Sequence, residues 1–222
     1  MLRKDPFERV LRSDPFDNWT TITLIVVALV LSTLTFQDRG FPILESGNSM
    51  AERPWALFTT CLIHGTYLHL VMNLYWTWQF GRILEPSIGS LNLAWLTVVF
   101  AIGSTGISYA IEGPAIGLSG IGYAYFGFLW ALTKFHPQGR ALLDERITSF
   151  FVLWFFICIY LDWQNIMPIA NYAHGAGAVI GVLAGWGISK GQHLFSWQRA
   201  VFLFVAILGV LWSLTATYEG YS

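Results

Sequence analysis

The chain has 222 residues, 55% of them hydrophobic and 11% charged, with a formal net charge of −1. A soluble domain carries about 25% charged residues, so this composition excludes a soluble globular protein and points to an all-α polytopic membrane protein. The near-neutral charge gives no footing for a nucleic-acid partner.

Seven spans are predicted, each judged against the roughly 20 apolar residues that a bilayer requires. Residues 1–18 form a short tail, read as cytosolic, that holds Arg3, Lys4, Arg9 and Arg12. The apolar run 19–36 has no small-residue cleavage site after it, so it is expected to stay as the first span rather than leave as a signal peptide. A polar connection, 37–54, ends at Trp55.

The second span is placed at 57–80 and read as one helix. It holds His64, His69 and Asn73, polar groups that are costly in a bilayer and by default mark a function. His69 and Asn73 are four apart and share a face, whereas His64, five before His69, faces elsewhere. That spacing does not suit a zinc pair, which needs histidines at i and i+4. No metal and no cofactor is expected. The plainer reading of these groups is that they bond neighbouring helices.

The third span is 91–111 and the fourth 118–135. The run Gly117-Leu118-Ser119-Gly120-Ile121-Gly122-Tyr123 opens the fourth. A serine there lies beside helix N–H groups that have no partner within the helix, the groups an oxyanion needs. Tyr123, four residues on, shares its face. The plainer reading is that Ser bonds back to its own helix and Gly lets helices pack.

The fifth span is 147–162, the sixth 169–188 and the seventh 201–217. The sixth carries Ala173, Gly177, Gly181 and Gly185 at intervals of four, and the fourth carries Gly120, Ala124 and Gly127. Two such stripes let helix backbones approach closely, and they are expected to bring His174 to the Ser119 hydroxyl. A serine with a positioned base is an activated nucleophile. The amide of Asn73 would steady the oxyanion. Tyr123 would pack on the imidazole, and with no acid well placed the pair reads as a dyad. Cys61 and Cys158 both lie in apolar runs and read as packing residues. His136 and His193 fall in loops.

Orientation follows from the cationic residues. With the amino terminus inside, Arg3, Lys4, Arg9, Arg12, Arg82, Lys134, Arg140, Arg146, Lys190 and Arg199 are inside, and only Arg39 and Arg53 are outside. Ten against two places the carboxyl terminus outside and Ser119 near the external face.

Four pieces together resemble the rhomboid intramembrane serine proteases. They are His64-x4-His69-x3-Asn73, Gly81-x3-Glu85-x3-Gly89, Gly117-Leu118-Ser119-Gly120 with Tyr123, and Ala173-His174-x2-Gly177-x3-Gly181. The resemblance covers 55–188, within a transmembrane domain taken as 19–222. It implies a six-helix bundle around a water-filled cavity, plus one carboxyl-terminal helix. It also implies a membrane-plane loop after the first span. By resemblance Ser119 is the nucleophile and His174 the general base and acid. The oxyanion hole takes the Ser119 N–H, Asn73 and His69. Tyr123 stacks on His174, while His64, Glu85, Gly177 and Gly181 are structural. Many members carry Trp-Arg in the first loop; here the pair is Trp55-Ala56, with Arg53 two residues before.

The implied function is endopeptidase cleavage of single-span or polytopic membrane-protein substrates within the lipid bilayer, in a bacterial cytoplasmic membrane. Two other classes stay open: a non-catalytic rhomboid-like binder of membrane segments, and a small transporter relaying protons through the buried histidines.

Overall fold

A computed structural model describes residues 17–37, 53–135 and 142–189. The predicted seventh span, most of the amino-terminal tail, His136 and His193 lie outside the described residues.

The described chain is all-helical. Helix α1 is Trp19–Phe36, α2 is the single turn Ala56–Thr59, and α3 is Tyr67–Ile88. Then come α4, Ser90–Ile111; α5, Ser119–Phe135; α6, Glu145–Trp163; and α7, Asn171–Ser189. Helices α1, α4 and α6 are each long and apolar enough to cross a bilayer. Helix α5 has only 17 residues, and α3 and α7 carry the polar positions His69, Asn73 and His174 inside their apolar runs.

Burial sets the layering. Helix α5 is enclosed nearly all round, with Ile121, Ala124, Tyr125, Phe128, Leu129, Ala131 and Leu132 all at 0% exposure. Helix α6 is apolar on every face yet buries only Phe151 and Cys158. A helix hydrophobic all round and exposed needs lipid as its solvent. The site-bearing helix is therefore central, and α6 stands at the rim.

The second predicted span needs correction. It is not one helix. After α2 the chain makes a 3₁₀ turn, Thr60–Leu62, and Ile63 becomes extended at φ −108° and ψ 150°. Helix α3 restarts at Tyr67 because the Thr66 side chain accepts the His69 N–H at 3.2 Å, an N-cap that satisfies an otherwise orphan donor. Helix α3 then runs eight residues past the predicted end at Phe80, through Glu85, to Ile88.

Glu85 ties this lower end together. One carboxylate oxygen accepts the Thr20 N–H at 2.7 Å; the other accepts the Thr21 N–H at 2.9 Å and the Thr21 hydroxyl at 2.7 Å. An anion at a helix amino terminus is favoured by the dipole and by the free N–H groups there. Glu85 is 1% exposed, so its charge is compensated by α1 alone among the described residues. Gly81 makes room for this contact: a Cβ there would meet the Thr21 side chain. Glu85→Gln turns one acceptor into a donor facing N–H groups. It is expected to cost about 2 kcal/mol, read as a lowered midpoint of thermal unfolding in detergent.

Candidate active site

The fourth and sixth predicted spans, α5 and α7, meet along their small-residue stripes. A Cβ added at Gly177 would strike the Gly120 carbonyl, one at Gly181 the Ala124 carbonyl, and one at Gly127 the Ala178 carbonyl. At Gly185 it would lie 2.6 Å from the Phe128 carbonyl oxygen. Backbone thus rests on backbone over three turns, a distance open only to glycine.

This contact sets the upper ends of the two helices side by side. Ser119 is the first residue of α5 and is half-buried; His174 lies in the first turn of α7 and is 5% exposed. The Tyr123 ring stacks on the His174 imidazole, with centroids 4.6 Å apart and planes 28° off parallel. Tyr123 is itself held edge-on by Phe151 and Phe155 of α6, at 5.3 and 5.8 Å. Rim helix, tyrosine and imidazole therefore form one packed column. No hydrogen bond joins the Ser119 hydroxyl to His174 among the described residues. Such bonds are commonly long without substrate and tighten on binding. Buried His174 Nδ1 and the Tyr123 hydroxyl also lack partners among the described residues.

Gly117 has φ +94°, a conformation that favours glycine. A Cβ there would lie 2.6 Å from His69 Cε1 and 3.2 Å from Asn73 Nδ2. Both α3 side chains thus close on the backbone just before Ser119. Asn73 Nδ2 is buried with no partner among the described residues, a donor that lies beside the Gly117 backbone.

The N–H groups of this run are unequally used. Gly117 donates to the Thr60 carbonyl at 3.1 Å. Leu118 donates to His64 Nε2 at 3.3 Å. The Leu118 carbonyl accepts from Gly122 N–H at 2.8 Å, and the N–H of that same peptide, belonging to Ser119, points the opposite way. It has no partner among the described residues. The free donors near Ser119 include its own N–H and the Asn73 amide, the pattern of an oxyanion site.

The break before α3 has a consequence that one continuous helix would not allow. The His64 and His69 rings meet edge to face, 4.9 Å apart. Asp162 does not reach His174; it accepts from the Ile169 N–H at 3.2 Å and the Asn171 amide at 3.1 Å, holding the start of α7. No group of His, Cys, Asp and Glu among the described residues could hold a metal ion.

Sequence reasoning passed over Ser32, Thr60, Phe151 and Phe155. For Ser32 a signal existed. Thr21, Leu24, Ala28 and Ser32 lie on one buried side of α1, and three of these four are small or polar in an otherwise bulky run.

The Rhomboid domain model matches residues 51–191. The chain belongs to the rhomboid family. The Rhomboid protease GlpG of Salmonella paratyphi A is 34% identical over 129 residues, 58% of this chain and 46% of that protein. The protein of the same name from Salmonella choleraesuis is 35% identical over 129 residues, with the same coverage. The chain spans about half the length of the curated relatives it matches.

Proposed function

We propose that this rhomboid protein is an intramembrane serine endopeptidase, with Ser119 as nucleophile and His174 as general base and acid. The stacked Tyr123–His174 pair beside Ser119 carries this reading. An ordinary packing histidine needs no ring partner braced by a third helix. The protease names of the relatives support it.

In the proposed reaction the Ser119 hydroxyl attacks a peptide carbonyl carbon of a membrane-protein substrate, and His174 takes the hydroxyl proton. The tetrahedral oxyanion is met by the Ser119 N–H and the Asn73 amide, with His69 beside them. The C–N bond breaks as His174 returns the proton to the leaving amine. The acyl-enzyme is then hydrolysed by water that His174 deprotonates. Backbone within a membrane helix is shielded by its own hydrogen bonds, so the substrate unwinds locally. Segments with helix-breaking or small residues are favoured.

The proposed setting is a bacterial cytoplasmic membrane, with the amino terminus inside and the carboxyl terminus outside. Span 201–217 adds to a six-helix core.

A fluorophosphonate probe reacts with activated serines. Incubated with the protein in detergent, it is expected to label Ser119, with labelling lost in His174→Ala. Labelling absent from Ser119, or indifferent to His174, would overturn the dyad.

A further inference from the structure

We infer that Ser32, on α1, is a positioning residue for the oxyanion site, acting through His64 on the backbone before Ser119. The inference rests on the protease reading above. Ser32 is 0% exposed and His64 1%. Their side chains meet at 3.0 Å, Ser32 Oγ to His64 Nδ1.

The direction of each bond is set by chemistry. The Leu118 N–H is an obligate donor, so His64 Nε2 must accept and carries no proton. A neutral imidazole with a bare Nε2 holds its proton on Nδ1. His64 Nδ1–H therefore donates to Ser32 Oγ. The Ser32 hydroxyl in turn donates to the Leu62 carbonyl at 3.3 Å. The relay runs from Leu118 through His64 and Ser32 to Leu62 with no frustrated partner.

A second observation separates Ser32 from its neighbours. Thr33 and Thr35 bond back to the carbonyls of Leu29 and Leu31, four residues earlier on the same helix. That is the usual fate of a hydroxyl in a membrane helix. Ser32 forgoes it and spends its hydroxyl on another element.

What the relay holds is the orientation of one peptide. Gly117 is conformationally free at φ +94°, so the segment needs external clamps. Thr60 supplies one through the Gly117 N–H, and His64 supplies the other through the Leu118 N–H. Together they aim the next N–H, that of Ser119. Without Ser32, His64 Nδ1–H is buried without an acceptor. The ring gains from changing tautomer, and Leu118 then loses its clamp.

Oxyanion donors act on the transition state rather than on the bound substrate. Ser32→Ala is therefore expected to lower kcat on a single-span test substrate roughly tenfold, the factor that one net hydrogen bond is worth. KM should stay near that of the parent, while the thermal midpoint falls, because one buried donor is left without an acceptor. The second readout needs no variant. In the unmutated protein, labelled with ¹⁵N-histidine in bilayers, the His64 resonances should report protonated Nδ1 and bare Nε2.

An Nε2-protonated or doubly protonated His64 at neutral pH would overturn the relay, whether or not Ser32→Ala folds. So would a folded Ser32→Ala protein with kcat within twofold of an active parent. A parent that neither cleaves nor labels at Ser119 ends the protease reading and this inference with it. An active parent with an unaffected Ser32→Ala variant ends this inference alone.

Discussion

Alanine in place of Ser119 is expected to reduce cleavage of a single-span test substrate by roughly 10³-fold or more, with the fold unchanged. The loss is large because, among the described residues, no other hydroxyl stands in the serine's place. Tyr123 is stacked on the imidazole, and the Ser104 hydroxyl bonds back to the Phe100 carbonyl at 2.7 Å. The fold is spared because the Ser119 side chain is half-buried and holds no hydrogen bond among the described residues. Removing it strands no buried partner, so the stability change should fall within about 0.5 kcal/mol. The two readouts are a cleavage assay in proteoliposomes and thermal unfolding in detergent. Cleavage at parental rate would remove Ser119 from the reaction, and a collapsed midpoint would show that the serine is structural.

Gly181→Ala is expected to be the most damaging single-methyl change in the described chain. The new Cβ would strike the Ala124 carbonyl and lie 2.8 Å from its carbon and 2.9 Å from its Cα. All three obstacles are backbone, so no rotamer relieves them. The helices α5 and α7 must part instead, at a cost of about 1–3 kcal/mol or more for overpacking. That separation acts on the site, because these two helices carry Ser119 and His174. Activity should fall further than the loss of folded protein explains. Gly175→Ala, on the same helix, is the control. Its Cβ would lie 3.7 Å from Phe155 Cζ, an ordinary contact, and the stability change should stay within about 1 kcal/mol. Equal midpoints for the two variants would mean that the close approach at Gly181 carries no weight.

Much was written locally. The predicted first span, 19–36, coincides with α1, and the third to sixth spans agree with α4 to α7 within two residues at each end. Long apolar runs bounded by glycine, proline and charge report their own solvent, and lipid leaves a helix as the way to satisfy the backbone. The stripes at Gly120, Ala124 and Gly127 and at Ala173, Gly177, Gly181 and Gly185 were equally legible, since a repeat of four residues defines a helix face. So was the candidate set of His69, Asn73, Ser119 and His174, polar groups standing in apolar runs.

What the chain's order did not contain was distance across elements. The break at Ile63–Thr66 sits inside an apolar run, and only Gly65 and the Thr66 cap hint at it. With the helix interrupted, the register between His64 and His69 is no longer helical, so their contact was unreadable. The pairings of Glu85 with Thr20 and Thr21, and of Ser32 with His64, join residues 65, 64 and 32 positions apart. Periodicity says which face a residue occupies but not which neighbour meets it. For α5 and α7 the meeting is decided where their backbones close on glycine, and for α1 and α3 where Glu85 accepts from Thr20 and Thr21.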